Sequence, residues 1–313
     1  MNSAVPADPL SGGLTIGFKT TPIDVTWEVL DSIWDAAGEL GIFGAGWMAD
    51  HLTDATRERG GQSWEAFTLT AALAHRVPGK WLGHAVLANT FRHPSLVAKQ
   101  ATVMDNVTGG RFIVGLGAGW HEGEHEAFGI PLPPIRERID RLESAVAVLR
   151  ALFSDEGRRE PGVTLEDPFY PLRGAVNDPP PRSSTGPPIW LGGQKRRGIA
   201  LAASSGNGWL MPGNRAGELG YLAEKRDAMV RALEAVGRDP AGFTFAAQVR
   251  CGETAADRRA ALDAARAFVE MGAQHVILGI DSQPRTRAPA AHRPRGRRAA
   301  HGACRLPGSC LTP

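Results

Sequence analysis

Cysteine is scarce: three in 313 residues, at positions 251, 304 and 310. No pair has the spacing of a Cys-x-x-Cys site, so a disulfide scaffold and a zinc ribbon are both excluded, and a reducing cytoplasm suits the chain. No run of about 18 apolar residues occurs, so no membrane-spanning helix is expected. The opening MNSAVPADPLSG has neither a basic start nor an apolar stretch, so it is not a secretory signal. A phosphate-binding P-loop, a G-x-S-x-G elbow and a Cys/His/Asn arrangement are also missing, which leaves a hydrolase unsupported. Acids are absent from one region. Residues 282–313 hold seven arginines and no Lys, Asp or Glu. Without those seven, the net charge of +2 becomes −5 for residues 1–281. The body is mildly acidic and no aromatics accompany the arginines, so no nucleic-acid partner is expected.

The chain does have alternating short apolar runs and amphipathic stretches. Strands are expected at 14–18, 42–48, 81–88, 111–117, 188–191, 208–211, 243–249 and 275–280. Helices are expected at 27–40, 64–75, 94–107, 135–153, after 193 to about 204, 218–236 and 255–271. Strict β/α alternation implies a parallel sheet. Eight strands are what a closed (β/α)8 barrel requires, with an open doubly wound sheet as the alternative. The proline-rich stretch 154–187 reads as a long insertion, of the kind used as a functional lid. After the eighth strand no closing helix is legible. Residues 282–313 read either as a disordered basic tail or as an out-of-frame end, since shifted GC-rich codons give Arg, Ala, Pro, Gly and His without acids. The expected organisation is one domain over 14–281 followed by that tail.

The chemistry-bearing residues gather at strand ends. Gly115, Gly117 and Gly119 have G-x-G-x-G spacing, and Trp120 stands where a dinucleotide fingerprint needs its third glycine, so bare backbone for a flat ring is the better reading. His121-Glu122-Gly123-Glu124-His125 matches H-E-x-x-H, but it follows strand and loop rather than lying mid-helix, so no metal site is expected. Asp50-His51 ends the second strand. His51 is a proton or hydrogen-bond donor there, or a solvated loop histidine. Asn89 and Thr90 end the third strand and can bond a cofactor's polar edge, or simply form a turn. Gly192-Gly193-Gln194, with Lys195, Arg196 and Arg197, offers glycine N–H groups, a helix start and cations: a phosphate cradle or a solvated first turn.

In this order the pieces resemble the bacterial luciferase-like monooxygenase family, which includes deazaflavin-dependent oxidoreductases. The matching stretches are Asp50-His51, NTFRHP at 89–94, TGGRFIVGLGAGWHE at 108–122, Glu137-Arg138, Gly192-Gly193 and Gly208-Trp209. The resemblance covers about residues 14–280. It implies a TIM barrel with the insertion at 154–187, and a cofactor, coenzyme F420 or FMN, at the strands' C-terminal ends. It implies a non-proline cis peptide near the end of strand three, by position Ala85-Val86. Contacts to the cofactor would fall on Asp50, His51, Ala85, Val86, Asn89, Thr90, Ala118, Gly119, Gly192, Gly193 and Gln194. Proton handling is assigned first to His51, then to His121 and Glu122. Trp47, Trp120 and the 154–187 loop would shape the pocket of a small-molecule substrate. The resemblance also implies a cytoplasmic homodimer, with a flavin reductase as partner if FMN is used. Some sugar-phosphate-oxidising members carry a catalytic Glu just after strand four. Ala118-Gly119-Trp120 stands there instead, which argues against that activity. The alternative is a truncated, non-catalytic flavin-binding paralogue.

Overall fold

The computed structural model describes residues 5–54 and 61–280. In chain order the elements are β1 (Thr15–Thr20), α1 (Trp27–Glu39), β2 (Ala45–Met48), α2 (Ala66–Leu73), β3 (Trp81–His84), β4 (Leu87–Ala88), α3 (Pro94–Val107) and β5 (Phe112–Gly117). Then come α4 (Glu122–Phe128), α5 (Ile135–Phe153), β6 (Val163–Leu165), β7 (Leu172–Ala175), β8 (Ile189–Leu191) and α6 (Arg196–Ser205). The last are β9 (Gly208–Leu210), α7 (Leu219–Ala235), β10 (Thr244–Cys251), α8 (Ala255–Glu270) and β11 (His275–Ile280). The segment 282–313, where the tail and the absent eighth helix were expected, lies outside the described residues.

The parallel sheet closes on itself. β1 pairs with β2, β2 with β3, β3 and β4 with β5, β5 with β8, and so on through β9, β10 and β11 back to β1. Counting β3 and β4 as one interrupted strand, this is an eight-stranded (β/α)8 barrel. The interruption is the cis peptide Ala85-Val86.

Local chemistry explains the helices. Thr26 caps α1, which buries Leu30, Trp34 and Ala37 on one face. The Trp34 indole N–H donates to the Thr20 hydroxyl at 3.0 Å and so fixes the helix against β1. Pro94 occupies the first turn of α3, where its missing N–H leaves nothing unpaired. A reciprocal capping box of Thr254 and Asp257 starts α8.

The barrel interior is filled by large rings set against bare backbone. Trp47 and Trp190 pack with ring centroids 5.2 Å apart, and Trp47 Nε1 donates to His275 Nε2 at 2.9 Å. A Cβ on Gly17 would come within 2.7 Å of Trp47, one on Gly83 within 2.8 Å of it, and one on Gly208 within 2.8 Å of Trp190. These glycines make room for the two indoles. At about 25 cal/mol per Å² and roughly 200 Å² per indole, each ring contributes on the order of 5 kcal/mol before entropy is counted. Trp47, expected to shape the substrate pocket, is fully buried in this interior. Its side chain points down the barrel because Gly17 and Gly83 open space there. Below it, Asp8 takes the Trp190 indole N–H at 2.5 Å and the Thr244 hydroxyl at 2.8 Å.

The insertion at 154–187, read from the sequence as holding no regular element, does hold one. β6 and β7 form an antiparallel hairpin, and the flanking chain is bonded to α3. Asn177 Nδ2 donates to the Thr102 hydroxyl at 2.9 Å, Ser183 N and Oγ donate to Asp105 at 2.8 and 2.9 Å, and Lys99 donates to the Asp178 carbonyl at 2.8 Å. A segment anchored this way buttresses the outer helices.

Two buried histidines make the fold sensitive to acid. Burial pushes His275 down to about 3 and His84 down to about 4, from an ordinary 6.5. The unfolded chain therefore binds more protons than the folded one between those values, and stability is lost as pH falls below about 6.5. Glu65 adds to the loss at lower pH. Burial opposes its ionisation, but hydrogen bonds from Thr68 and Arg92 outweigh burial and hold its carboxyl at about 2 rather than 4.5. The urea midpoint should fall steadily from pH 6.5 downward. A flat profile between 6.5 and 4.5 would contradict neutral burial of both imidazoles.

Candidate active site

The C-terminal ends of β2, β4, β5 and β8 lie side by side, and the expected site residues are on them. Asp50, just past β2, has a fully buried side chain. Its two oxygens receive both terminal nitrogens of Arg92 at 2.8 and 2.9 Å, and one also takes the Ala88 N–H at 2.8 Å. Arg92 also donates to Glu65, the residue that caps α2. A planar guanidinium bridging two carboxylates thus ties the end of β2 to β4 and α2. Asp50 is spent inside the protein and acts on the site by holding the strand ends together.

His51 stands next to that clamp. Its Nδ1 lies 2.7 Å from Glu124 Oε1, with the carboxylate side chain 2% exposed and the imidazole 22% exposed. A carboxylate acceptor fixes the ring with its proton on Nδ1 and leaves Nε2 as the nitrogen open to chemistry. The Trp120 ring stands edge-on to His51 at 6.2 Å and is 67% exposed at the rim. The expected partners, His121 and Glu122, fall elsewhere. His121 caps α4, its Nδ1 accepting the Glu124 N–H at 3.0 Å, and Glu122 is exposed in the first turn. Glu124 is the residue the sequence did not single out. Two positions into a helix starting at Glu122, it turns inward to β2. That placement depends on His121 being the cap, which the H-E-x-x-H match obscures. His125 is also committed within the protein, its Nδ1 2.6 Å from the His121 carbonyl and its Nε2 2.7 Å from the Thr90 hydroxyl. Among the described residues, no cluster of three or more His, Cys, Asp or Glu side chains could hold a metal.

The ends of β5 and β8 face the Val86 side chain. A Cβ on Gly117 would come within 2.8 Å of Val86, and the space above Gly192 is bounded by Val86 at 3.5 Å. Ala85 and Val86 pack on the interior cluster containing Trp47 and Trp190. Asn89 is 5% exposed, and its backbone N–H donates to the Gly117 carbonyl at 2.9 Å. Its side-chain amide meets no partner among the described residues. Gly119 has φ +77°, and a Cβ there would lie 2.3 Å from the Thr90 hydroxyl; its carbonyl accepts from Arg138 at 2.6 Å. Ala118 lies between these glycines, partly buried. Gly193 serves packing, since its Cβ would strike Gly198 of α6 at 2.5 Å, and its carbonyl accepts the Trp209 indole N–H at 2.7 Å. Gln194 accepts from the Tyr221 hydroxyl at 2.7 Å. Arg197, expected in a phosphate cradle, is drawn to Asp140 and Glu143 of α5 at 2.6 and 2.8 Å. Lys195 and Arg196 remain exposed at the start of α6.

The fold and this end of it define a class, a closed parallel (β/α)8 barrel with glycines and a carboxylate-oriented histidine at the C-terminal strand ends. The sequence model of the luciferase-like monooxygenases matches residues 25–305, and the chain belongs to that family. It is 28% identical over 262 residues to a phthiodiolone/phenolphthiodiolone dimycocerosates ketoreductase of Mycobacterium bovis, covering 75% of this chain and 65% of that protein. The chain thus spans just under two thirds of that relative's length. It is 30% identical over 242 residues to an F420-dependent glucose-6-phosphate dehydrogenase of Kribbella flavida, covering 72% of this chain and 70% of that one. The fold is shared with an F420-dependent secondary alcohol dehydrogenase solved with an F420-acetone adduct, at a TM-score of 0.69 and 18% identity over 87% of this chain and 94% of that one. Among the described residues no helix is long and apolar enough to cross a membrane.

Proposed function

We propose that this protein is an oxidoreductase that moves hydride between coenzyme F420 or FMN and a small organic substrate. The observation that carries the reading is the His51–Glu124 pair at 2.7 Å, at the same end of the barrel as the bare backbone of Gly192 facing Val86. The names of its relatives, F420-dependent dehydrogenases among them, support the same reading. The residues fit such a ring: Gly192 would let it approach backbone, Val86, seated over Gly117, would back it, and the Asn89 amide can meet its polar edge.

When bound, the cofactor supplies the two-electron hydride chemistry. The protein's part is orientation and proton handling. Reducing a carbonyl requires a proton at its oxygen, and oxidising an alcohol requires one to leave. His51 Nε2 does this while Glu124 keeps the proton on Nδ1 and stabilises the charged ring. Trp120 borders the pocket at the rim. We also propose a cytoplasmic homodimer, with a flavin reductase as partner if FMN is the cofactor, and sizing chromatography tests the dimer.

Titrating the purified protein with F420 and with FMN, each oxidised and reduced, tests the reading. Saturable binding of at least one is expected, and binding of neither overturns it. Binding of F420 alone excludes direct oxygenase chemistry, because a deazaflavin reacts poorly with O₂.

A further inference from the structure

Round the mouth of the barrel, starting on the strand next to β2, lies a second polar feature. Side chains on β1, β10 and β11 alternate between interior and helix layer. Gly17, Ala246, His275 and Ile277 face the interior, while Phe18 packs on Trp34 and Val249 joins the outer core. By this alternation Lys19, Gln248, Arg250 and Gly279 face the mouth. Their register is level: Lys19 and Arg250 are both aligned with Gly279, from the two strands flanking β11. Two cations therefore stand on either side of a residue with no side chain.

This row is built rather than incidental. Lys19 Nζ donates to Gln248 Oε1 at 2.5 Å, and Gln248 Nε2 donates to the Met211 carbonyl, so the amide is held with its oxygen toward the lysine. The loop after β9 closes over it, with the position of a Gly213 Cβ 3.2 Å from Lys19 Nζ. Lys19 is half-buried, yet a neutral amide is its partner. Among the described residues, no carboxylate pairs with it or with Arg250. Burial, and then the Arg250 charge, push the Lys19 ammonium down to about 8. Two like charges aligned with one residue and without an acid favour the arrival of an anion.

We propose that Lys19 and Arg250, on either side of Gly279, form a binding subsite for an oxyanion, a carboxylate or phosphate, carried by the substrate. This rests on the oxidoreductase reading and narrows its substrate class to small acidic molecules. Gly279 leaves room for the group, Lys19 supplies a point charge, and Arg250 supplies a fork that matches two oxygens. With the anion held there, the rest of the substrate extends across the mouth toward His51.

The test uses the full chain and two probes, inorganic phosphate and acetate, titrated calorimetrically. Phosphate should bind the native protein, and Lys19→Met or Arg250→Gln should weaken it at least about ten-fold, as expected when a charge-assisted hydrogen bond is lost. Lys19→Arg should restore most of the affinity. Binding of F420 and FMN to all variants should match the native protein. If Lys19→Met does not fold, the exposed Arg250 position carries the test. Three results overturn the subsite: neither probe binds, phosphate binds all variants equally, or cofactor affinity falls in step with phosphate. The last assigns the cations to the cofactor's own phosphate. Failure of the native protein to bind either cofactor sinks the oxidoreductase reading instead, and the anion titrations stand apart from it.

Discussion

Replacing His51 with asparagine should lower turnover by about 10²- to 10⁴-fold, the range for loss of a positioned proton donor or acceptor, while cofactor affinity stays close to that of the native protein. The expectation follows from the division of labour at the rim. On the proposed reading the cofactor's ring would rest against Gly192 and Val86, neither of which the substitution alters. Nε2 of the imidazole is the group the chemistry loses. Glu124→Gln is the companion variant. It keeps an oxygen for Nδ1–H to donate to but removes the charge, so a roughly 10- to 100-fold fall is expected, as for other residues that orient a reactive imidazole. Steady-state turnover followed through cofactor absorbance, with the pH profile of kcat/KM, separates the roles. Unchanged turnover in His51→Asn, or a loss lying wholly in cofactor affinity, would remove His51 from proton handling.

Asp50→Ala should cost about 3–5 kcal/mol of stability, the usual penalty for stripping one partner from a buried ion pair. The Arg92 side chain is 9% exposed, so its charge cannot recover by turning to water. Glu65, 40% exposed, is the remaining carboxylate in contact among the described residues and cannot replace a bidentate buried partner. The Ala88 N–H is orphaned as well. Burial opposes the charge on Arg92, but the hydrogen bonds and charges of Asp50 and Glu65 override it and raise its pKa above the ordinary value. The guanidinium therefore stays ionised and uncompensated in the variant. Asp50→Asn, which keeps the hydrogen bonds and shape, should lose much less. Chemical denaturation midpoints give both numbers. Equal stability of Asp50→Ala and the native protein would show that Arg92 finds another partner. Because His51 is the next residue, the alanine variant should also lose activity.

The barrel was largely legible because each strand and helix carries its own period. The stripe of Leu142, Val146, Leu149 and Leu152 gave α5 its full span, and Pro94 marked the first residue of α3. The hairpin of β6 and β7 was not legible, because its strands are three and four residues long and the chain that follows them is anchored to α3, far away in sequence. The site was legible in part for the same reason. Glycines at strand ends and His51 announce themselves locally. The partner of His51 is 73 residues away, and choosing Glu124 over Glu122 required the phase of a seven-residue helix. Asp50 was read as a ligand contact because nothing in its neighbourhood shows that Arg92, 42 residues on, takes both its oxygens. Trp47 was read as pocket wall because the glycines that draw it down the barrel lie on other strands.

The most direct test of the central claim is the affinity of the native protein and of Gly192→Val for F420 and FMN. The nearest atoms to a Cβ at Gly192 are in Val86, at ordinary contact distance, so the valine should fold with nearly native thermal stability while its methyls occupy the space the ring needs. Saturable binding of at least one cofactor to the native protein is expected, with a loss of about ten-fold or more, about 1.4 kcal/mol or greater, in Gly192→Val. Equal cofactor affinity in the two proteins would place the ring elsewhere and contradict the account.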